Sequence, residues 1–121
     1  MKAAALLLLL MLLAPSVRAE DCASPEGRSE ITNLVSHAGE DRPVSITFGT
    51  RVEGVKIPPG LVSQYPDEMT VILQYEFEHL VVSKDGIEVG LWFNRRFARV
   101  VIPFAAIRAV YDDRLRKCAA G

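Results

Sequence analysis

The sequence predicts an α+β domain: a small, strongly bent antiparallel β barrel, preceded by one helix and followed by a short C-terminal one. Three observations predict it. Apolar residues take helical spacing in residues 25–38 and then alternate with polar ones after Pro43. The alternating segments are short and joined by tight turn signals, as antiparallel strands are. The chain has 121 residues, enough for one modest core.

Residues 1–19 read as a secretory signal. Lys2 gives a positive start, residues 3–14 are an unbroken apolar run, and Pro15-Ser16 break it. Val17-Arg18-Ala19 places small residues where a signal peptidase reads, so cleavage would leave Glu20 first. Twelve apolar residues fall short of the roughly 20 that a membrane-spanning helix needs. The expected localisation is therefore periplasmic or secreted, or cytoplasmic where the signal is not used. The expected organisation is a signal at 1–19, a helix and linker at 20–42, the β domain at 43–113 and a short tail at 114–121.

Without Lys2 and Arg18, 12 basic residues remain against 15 acidic ones, a formal charge of −3. A nucleic-acid partner normally requires a basic excess, so none is expected. The two cysteines, Cys22 and Cys118, stand at opposite ends of the exported chain. Domain termini often lie close together, and in an oxidising compartment the pair can form one disulfide. A loop of that length contributes about 4 to 5 kcal/mol in chain-entropy models. Two unrelated thiols are the alternative; a redox C-x-x-C is excluded by the spacing.

Each element has a local reason. Ser24 caps a helix, Pro25 suits its first position and Glu26 its positive end. Ile31, Leu34, Val35 and Ala38 form its apolar stripe, for this domain or a second subunit, and Gly39 ends it. Val44, Ile46 and Phe48 alternate as a half-buried strand. Val55-Lys56-Ile57 is a shorter extended piece, stopped by Pro58-Pro59-Gly60, and residues 65–68 form a turn. Residues 70–77 read as one strand, with Val71, Leu73, Tyr75 and Phe77 inward and Thr70, Ile72, Gln74 and Glu76 outward. Residues 80–83 and 87–93 flank Lys84-Asp85-Gly86, a hairpin signal, with Ile87, Val89, Leu91 and Phe93 inward. Asn94-Arg95 turns the chain into a strand at 99–102. Pro103 then opens the short helix through Ala106, Ile107 and Val110 to Tyr111.

Catalytic signatures are weak. Asp67-Glu68 and Glu76, Glu78 and His79 are the acid clusters weighed for acid–base chemistry, and they read as a solvated turn and a strand end. His37 and His79 without a third ligand at motif spacing make no zinc site. Nucleophile-elbow, phosphate-loop and zinc-protease motifs are missing, so no enzyme, cofactor or metal is expected.

What remains is a surface for binding. The outward side of 70–77 carries Ile72 and Gln74; that of 87–93 carries Glu88, Gly90 and Trp92, the single tryptophan. Gly90 leaves room for a second backbone to approach. An exposed Trp suits an interface, unless the N-terminal helix covers it together with Ile72. An extended peptide or unstructured protein tail along a sheet edge fits this face. Arg95, Arg96 and Arg99 form a basic cluster suited to an acidic group or C-terminal carboxylate. The candidate peptide-binding residues are Ile72, Gln74, Lys56, Ile57, Trp92, Arg95 and Arg96.

Ile46-Thr47-Phe48, Gly54-Val55, Tyr65 through Thr70, Val71-Ile72-Leu73-Gln74, and Val101 through Ile107 to Tyr111-Asp112 together resemble stringent starvation protein B in its alphaproteobacterial form. The resemblance implies an Sm- or SH3-like barrel behind a helix that pairs two subunits. It implies an adaptor that holds the ssrA degradation tag in a groove and delivers it to the ClpXP protease through a C-terminal tail. Gln74 matches the family glutamine at the groove; ClpX as a partner rests on the resemblance alone. Asn94-Arg95-Arg96 stands where the family has a glycine-containing turn, and Phe97 where a proline is expected. The tether after the domain is not found in the sequence up to Gly121. The reading is an exported peptide-binding domain without the protease tether. A cytosolic ClpXP adaptor, and a structural module with its groove covered, are the alternatives.

Overall fold

The structure, a computed structural model, describes residues 22–112 and 116–117. The signal-like residues 1–19, Cys118 and most of the tail lie outside the described residues.

The chain opens with α1 (Pro25–Ser36). The Ser24 Oγ accepts a hydrogen bond from the Gly27 amide at 3.0 Å, satisfying a donor that the first turn leaves unpaired. Ile31 and Val35 are fully buried in the core, and Leu34 and Ala38 pack against it. The helix therefore spends its apolar stripe on its own domain. The predicted stop at Gly39 is not where the helix ends. His37 closes it by donating its backbone N–H to the Leu34 carbonyl, and Gly39 instead exchanges two backbone hydrogen bonds with Arg42. Arg28 clamps the helix outward: its guanidinium lies 5.5 Å over the Phe104 ring and donates to the carbonyls of Ala23 and Lys84.

The strands form two antiparallel sheets. The first runs β2 (Glu68–Leu73), β1 (Val44–Gly49), β6 (Ile107–Tyr111), β7 (Arg116–Lys117). The second runs β3 (Phe77–Val82), β4 (Gly86–Phe93), β5 (Arg96–Pro103). β1 is interior. Its Val44, Ile46 and Phe48 are fully buried, and Thr47 hydrogen-bonds the hydroxyls of Thr70 on β2 and Tyr111 on β6 at 2.7 and 3.1 Å. Side chains of both sheets and of α1 share one core.

The α+β class stands, but the barrel is not closed. The expected strand at 70–77 breaks at Gln74–Glu76, where the chain leaves the first sheet and enters the second. Closure requires continuous pairing between the sheets. The two carry none of it; Lys56, arriving from the first sheet, makes only an isolated two-bond bridge to Val101 of β5.

The predicted C-terminal helix is also corrected. Pro103 ends β5, Phe104–Ala106 is one 3₁₀ turn, and Ile107–Tyr111 is a strand beside β1. A slip in register between Thr47 and Phe48 leaves Arg108 without an opposite residue. Its guanidinium then reaches Glu68 Oε1 at 2.9 Å and Asp67 Oδ2 at 3.3 Å. Those hydrogen bonds, Glu68 first, raise the proton affinity of Arg108 further. Pro58-Pro59-Gly60 does stop the extended piece, but it also begins α2 (Pro59–Gln64), with Pro59 at the favoured first position and Leu61 buried.

Both hairpins are where the turn residues put them. At Gly86 the backbone has φ +156°, and a Cβ would lie 2.7 Å from Pro103 Cα, so β5 approaches too closely for any side chain. Asn94 and Arg95 have φ of 51° and 69° between the paired Phe93 and Arg96, a two-residue turn with both residues left-handed. Asn tolerates that conformation; Arg does so only with strain.

Candidate functional site

β2 pairs with β1 on one side only, so among the described residues its other edge is free. Its pleat sends Met69, Val71 and Leu73 into the core and leaves Glu68, Thr70 and Ile72 outside. The break at Gln74-Tyr75-Glu76 then carries the chain past the end of β4. Between them lies a cleft of about 650 Å³, lined from one side by Thr70, Ile72, Gln74 and Tyr75 and from the other by Leu91, Trp92 and Phe93. A second compartment of about 730 Å³ continues from it, sharing Tyr75, Glu76 and Trp92 and adding Phe77, Glu78 and Arg95.

The apolar surface here is unusual for its concentration. Ile72 is 58 % exposed, Tyr75 68 % and Trp92 47 %. Isolated exposed apolar residues are ordinary, whereas a contiguous group marks an interaction site. The N-terminal helix does not cover Ile72 and Trp92; its stripe is buried elsewhere. Trp92 is held from one side by Phe97, with ring centroids 5.2 Å apart and planes at 67°. Gly90 does not admit a foreign backbone, as its place in the sequence suggested. The space above it is filled by the Phe97 ring, whose Cε1 would come within 2.7 Å of an added Cβ. Phe97 thus supports the tryptophan from β5.

The structure brings some of the sequence-predicted residues together and separates others. Ile72, Gln74 and Trp92 line one cleft, and Arg95 the compartment beside it. Arg96, the next residue, lines a different cleft of about 560 Å³ between α2 and the β4–β5 hairpin. Lys56 and Ile57 do not line the β2 cleft; they sit where Lys56 bridges to β5, next to Pro58 of that other cleft. Arg99 is engaged by Glu88 Oε1 at 3.2 Å and by the Glu78 carbonyl. The three arginines do not converge on one point. Alternation sends the adjacent Arg95 and Arg96 to different faces, and Arg99 is held by its partners.

Tyr75 was missed. Period-two alternation assigns it to the core, and no glycine or proline marks the break that turns it outward. Phe97 registers in the sequence only as a replaced proline.

No group of three His, Cys, Asp or Glu suited to a metal occurs among the described residues. Asp67 and Glu68 hold Arg108, and the His37 ring nitrogen Nδ1 lies 2.7 Å from the Asn33 carbonyl of its own helix. No helix among the described residues is long and apolar enough to cross a membrane.

The family model of Stringent starvation protein B matches residues 28–118, which is 91 of the 121 residues. The chain belongs to the stringent starvation protein B family. The match runs from the first turn of α1 past β7, so it includes both sheets and every residue of the cleft. Stringent starvation protein B is an adaptor family rather than a family of enzymes. No curated protein sequence matches the chain significantly.

Proposed function

We propose that this member of the stringent starvation protein B family binds an extended peptide or unstructured protein tail as an added strand on the free edge of β2. The observation that carries the reading is the open cleft beside that edge, with Ile72, Tyr75 and Trp92 exposed along it. Backbone bonds to an edge strand give affinity with little demand on sequence, and flanking side chains give selectivity. Ile72 supplies apolar contact, Trp92 is the anchor, and the half-buried Gln74 amide donates to and accepts from the peptide backbone. Degradation tags of the ssrA type are the ligands that family membership suggests. Arg96 lines the other cleft and Lys56 and Ile57 line neither, so the three are given no part in this site.

The same reading holds the domain to be exported after cleavage behind Ala19 and closed by a Cys22–Cys118 disulfide. Three facts support the bridge: Cys22 is buried, no cysteine among the described residues is a free thiol, and β7 pairs Lys117 with Val110 immediately before Cys118. Intact mass of the protein isolated from its own cells with thiols blocked tests both parts. The expected mass begins at Glu20 and lacks two hydrogens; a mass that retains Met1 with two thiols contradicts both.

A second reading, a cytosolic adaptor delivering tagged proteins to ClpXP, is favoured by the family match. It requires a direct complex with ClpX, and a pull-down from cytosol without ClpX sinks it. For the groove itself, titration of the protein with an ssrA-tag peptide and a broad peptide library, followed by Trp92 emission and calorimetry, is decisive. Dissociation constants on the order of tens of micromolar or tighter are expected; no binding across the library removes the proposal.

A further inference from the structure

The compartment beyond Trp92 has a chemistry of its own. Two of its lining residues, Tyr75 and Trp92, are exposed aromatics, and two, Glu76 and Glu78, are exposed carboxylates. The ion pairs among the described residues use Asp67, Glu68 and Glu88, which leaves Glu76 and Glu78 without a cation. Arg95 does not serve them. It stands on the hairpin turn, forms none of those pairs and stacks on no ring; the cation over an aromatic face is Arg28 at Phe104. Two carboxylates against one guanidinium leave the compartment with a formal excess of one negative charge.

Aromatic rings present a negative face, and a cation over that face is attracted most when carboxylates flank it. Trp92 is fixed by its edge contact with Phe97, so little freedom is lost when its exposed side takes a ligand. An acidic ligand would meet Glu76 and Glu78 and one uncommitted arginine: Arg96 lines another cleft, and Arg99, whose guanidinium reaches the Glu78 carbonyl at 3.4 Å, is paired with Glu88. We propose that this compartment receives the side chain of a lysine or arginine on the peptide whose backbone lies along β2. The proposal rests on the groove reading above, with which the compartment is continuous through Tyr75, Glu76 and Trp92. An extended chain turns alternate residues to one side. The basic residue and the apolar residue that meets Ile72 therefore occupy positions of the same parity.

The test is a positional scan with N-acetylated, C-amidated nonapeptides on an alternating Val/Ser frame, carrying Lys, Ala or Glu at each position in turn. Affinity is read by Trp92 emission and calorimetry on the disulfide-intact protein. Lys at one position, of the same parity as the preferred Val, is expected to bind about fivefold tighter than Ala, and Glu weaker than Ala. The double substitution Glu76→Gln/Glu78→Gln is at exposed positions; it should abolish the Lys preference, read as the ratio of Lys to Ala affinities within the variant. Arg95→Ala should widen the preference. Peptides that bind without discriminating Lys from Ala, or a Lys preference that survives the double substitution, overturn the basic compartment and leave the groove standing. Failure of every peptide overturns both.

Discussion

The two faces of β2 are of opposite character, one buried and one exposed. Leu73 is fully buried between the sheets; Ile72, one residue earlier, is mostly exposed. Both are large aliphatic side chains on the same strand, and the pleat alone separates them. The inward face explains the fold. The outward face gives the fold the Thr70–Thr47 hydrogen bond and the Glu68–Arg108 pair, but its Ile72 is left to gather with Tyr75 and Trp92 around one cleft. Residues of one chemistry thus divide by geometry into those that hold the domain together and those left available to a partner.

That contrast can be broken most severely from the inside. Leu73→Ala should destabilise the domain by about 3 kcal/mol, because a fully buried leucine leaves a cavity as well as lost burial. Ile72→Ala should change stability by less than about 0.5 kcal/mol, since surface substitutions rarely do more. Urea unfolding of the two variants measures the difference, and similar losses would erase the distinction. On the binding side, Trp92→Ala should weaken the tightest library peptide by roughly 2 kcal/mol, the size expected of a central aromatic anchor. Calorimetry on the folded variant checks it.

Smaller effects sharpen the comparison at the hairpin and at the turn before β2. Arg95→Gly should stabilise the domain by about 1 kcal/mol, because glycine adopts the left-handed φ without the penalty that a side chain incurs. A rise in the thermal midpoint is the readout. Arg108→Ala should cost less than about 1 kcal/mol despite its two carboxylate partners, since all three groups are substantially exposed and screened. That loss should shrink further in high salt.

The inward half of this molecule was largely legible in the sequence. Ser24 and Pro25 mark the helix start, and the stripe of Ile31 and Val35 marks its buried face. Val44, Ile46 and Phe48, and Ile87, Val89 and Leu91, give the strands by alternation, and Asn94-Arg95 gives the turn. Ile72, Gln74 and Trp92 were identified as outward by the same alternation. The failures share one cause: they depend on contacts distant in sequence. Ile107 and Val110 have spacing that suits a helix as well as a strand, and pairing with β1 decides for the strand. The break at Gln74–Glu76 has no turn residue; it exists because Phe77 pairs with Leu91 in the other sheet. Tyr75 is turned out by that break, and the role of Phe97 follows from Gly90 lying opposite Arg99 across β4 and β5, beside it. The separation of Arg95 from Arg96 likewise appears only once the hairpin is placed between two clefts.

The central claim is that a peptide adds to the free edge of β2. Backbone amide hydrogen exchange, with and without a saturating concentration of the tightest library peptide, tests it most directly. The account predicts slowed exchange in Glu68–Leu73 of β2 and in residues 91–93, with residues 58–64 and 96–98 unchanged. Unaltered exchange in β2, or protection confined to residues 58–64 and 96–98, would contradict it.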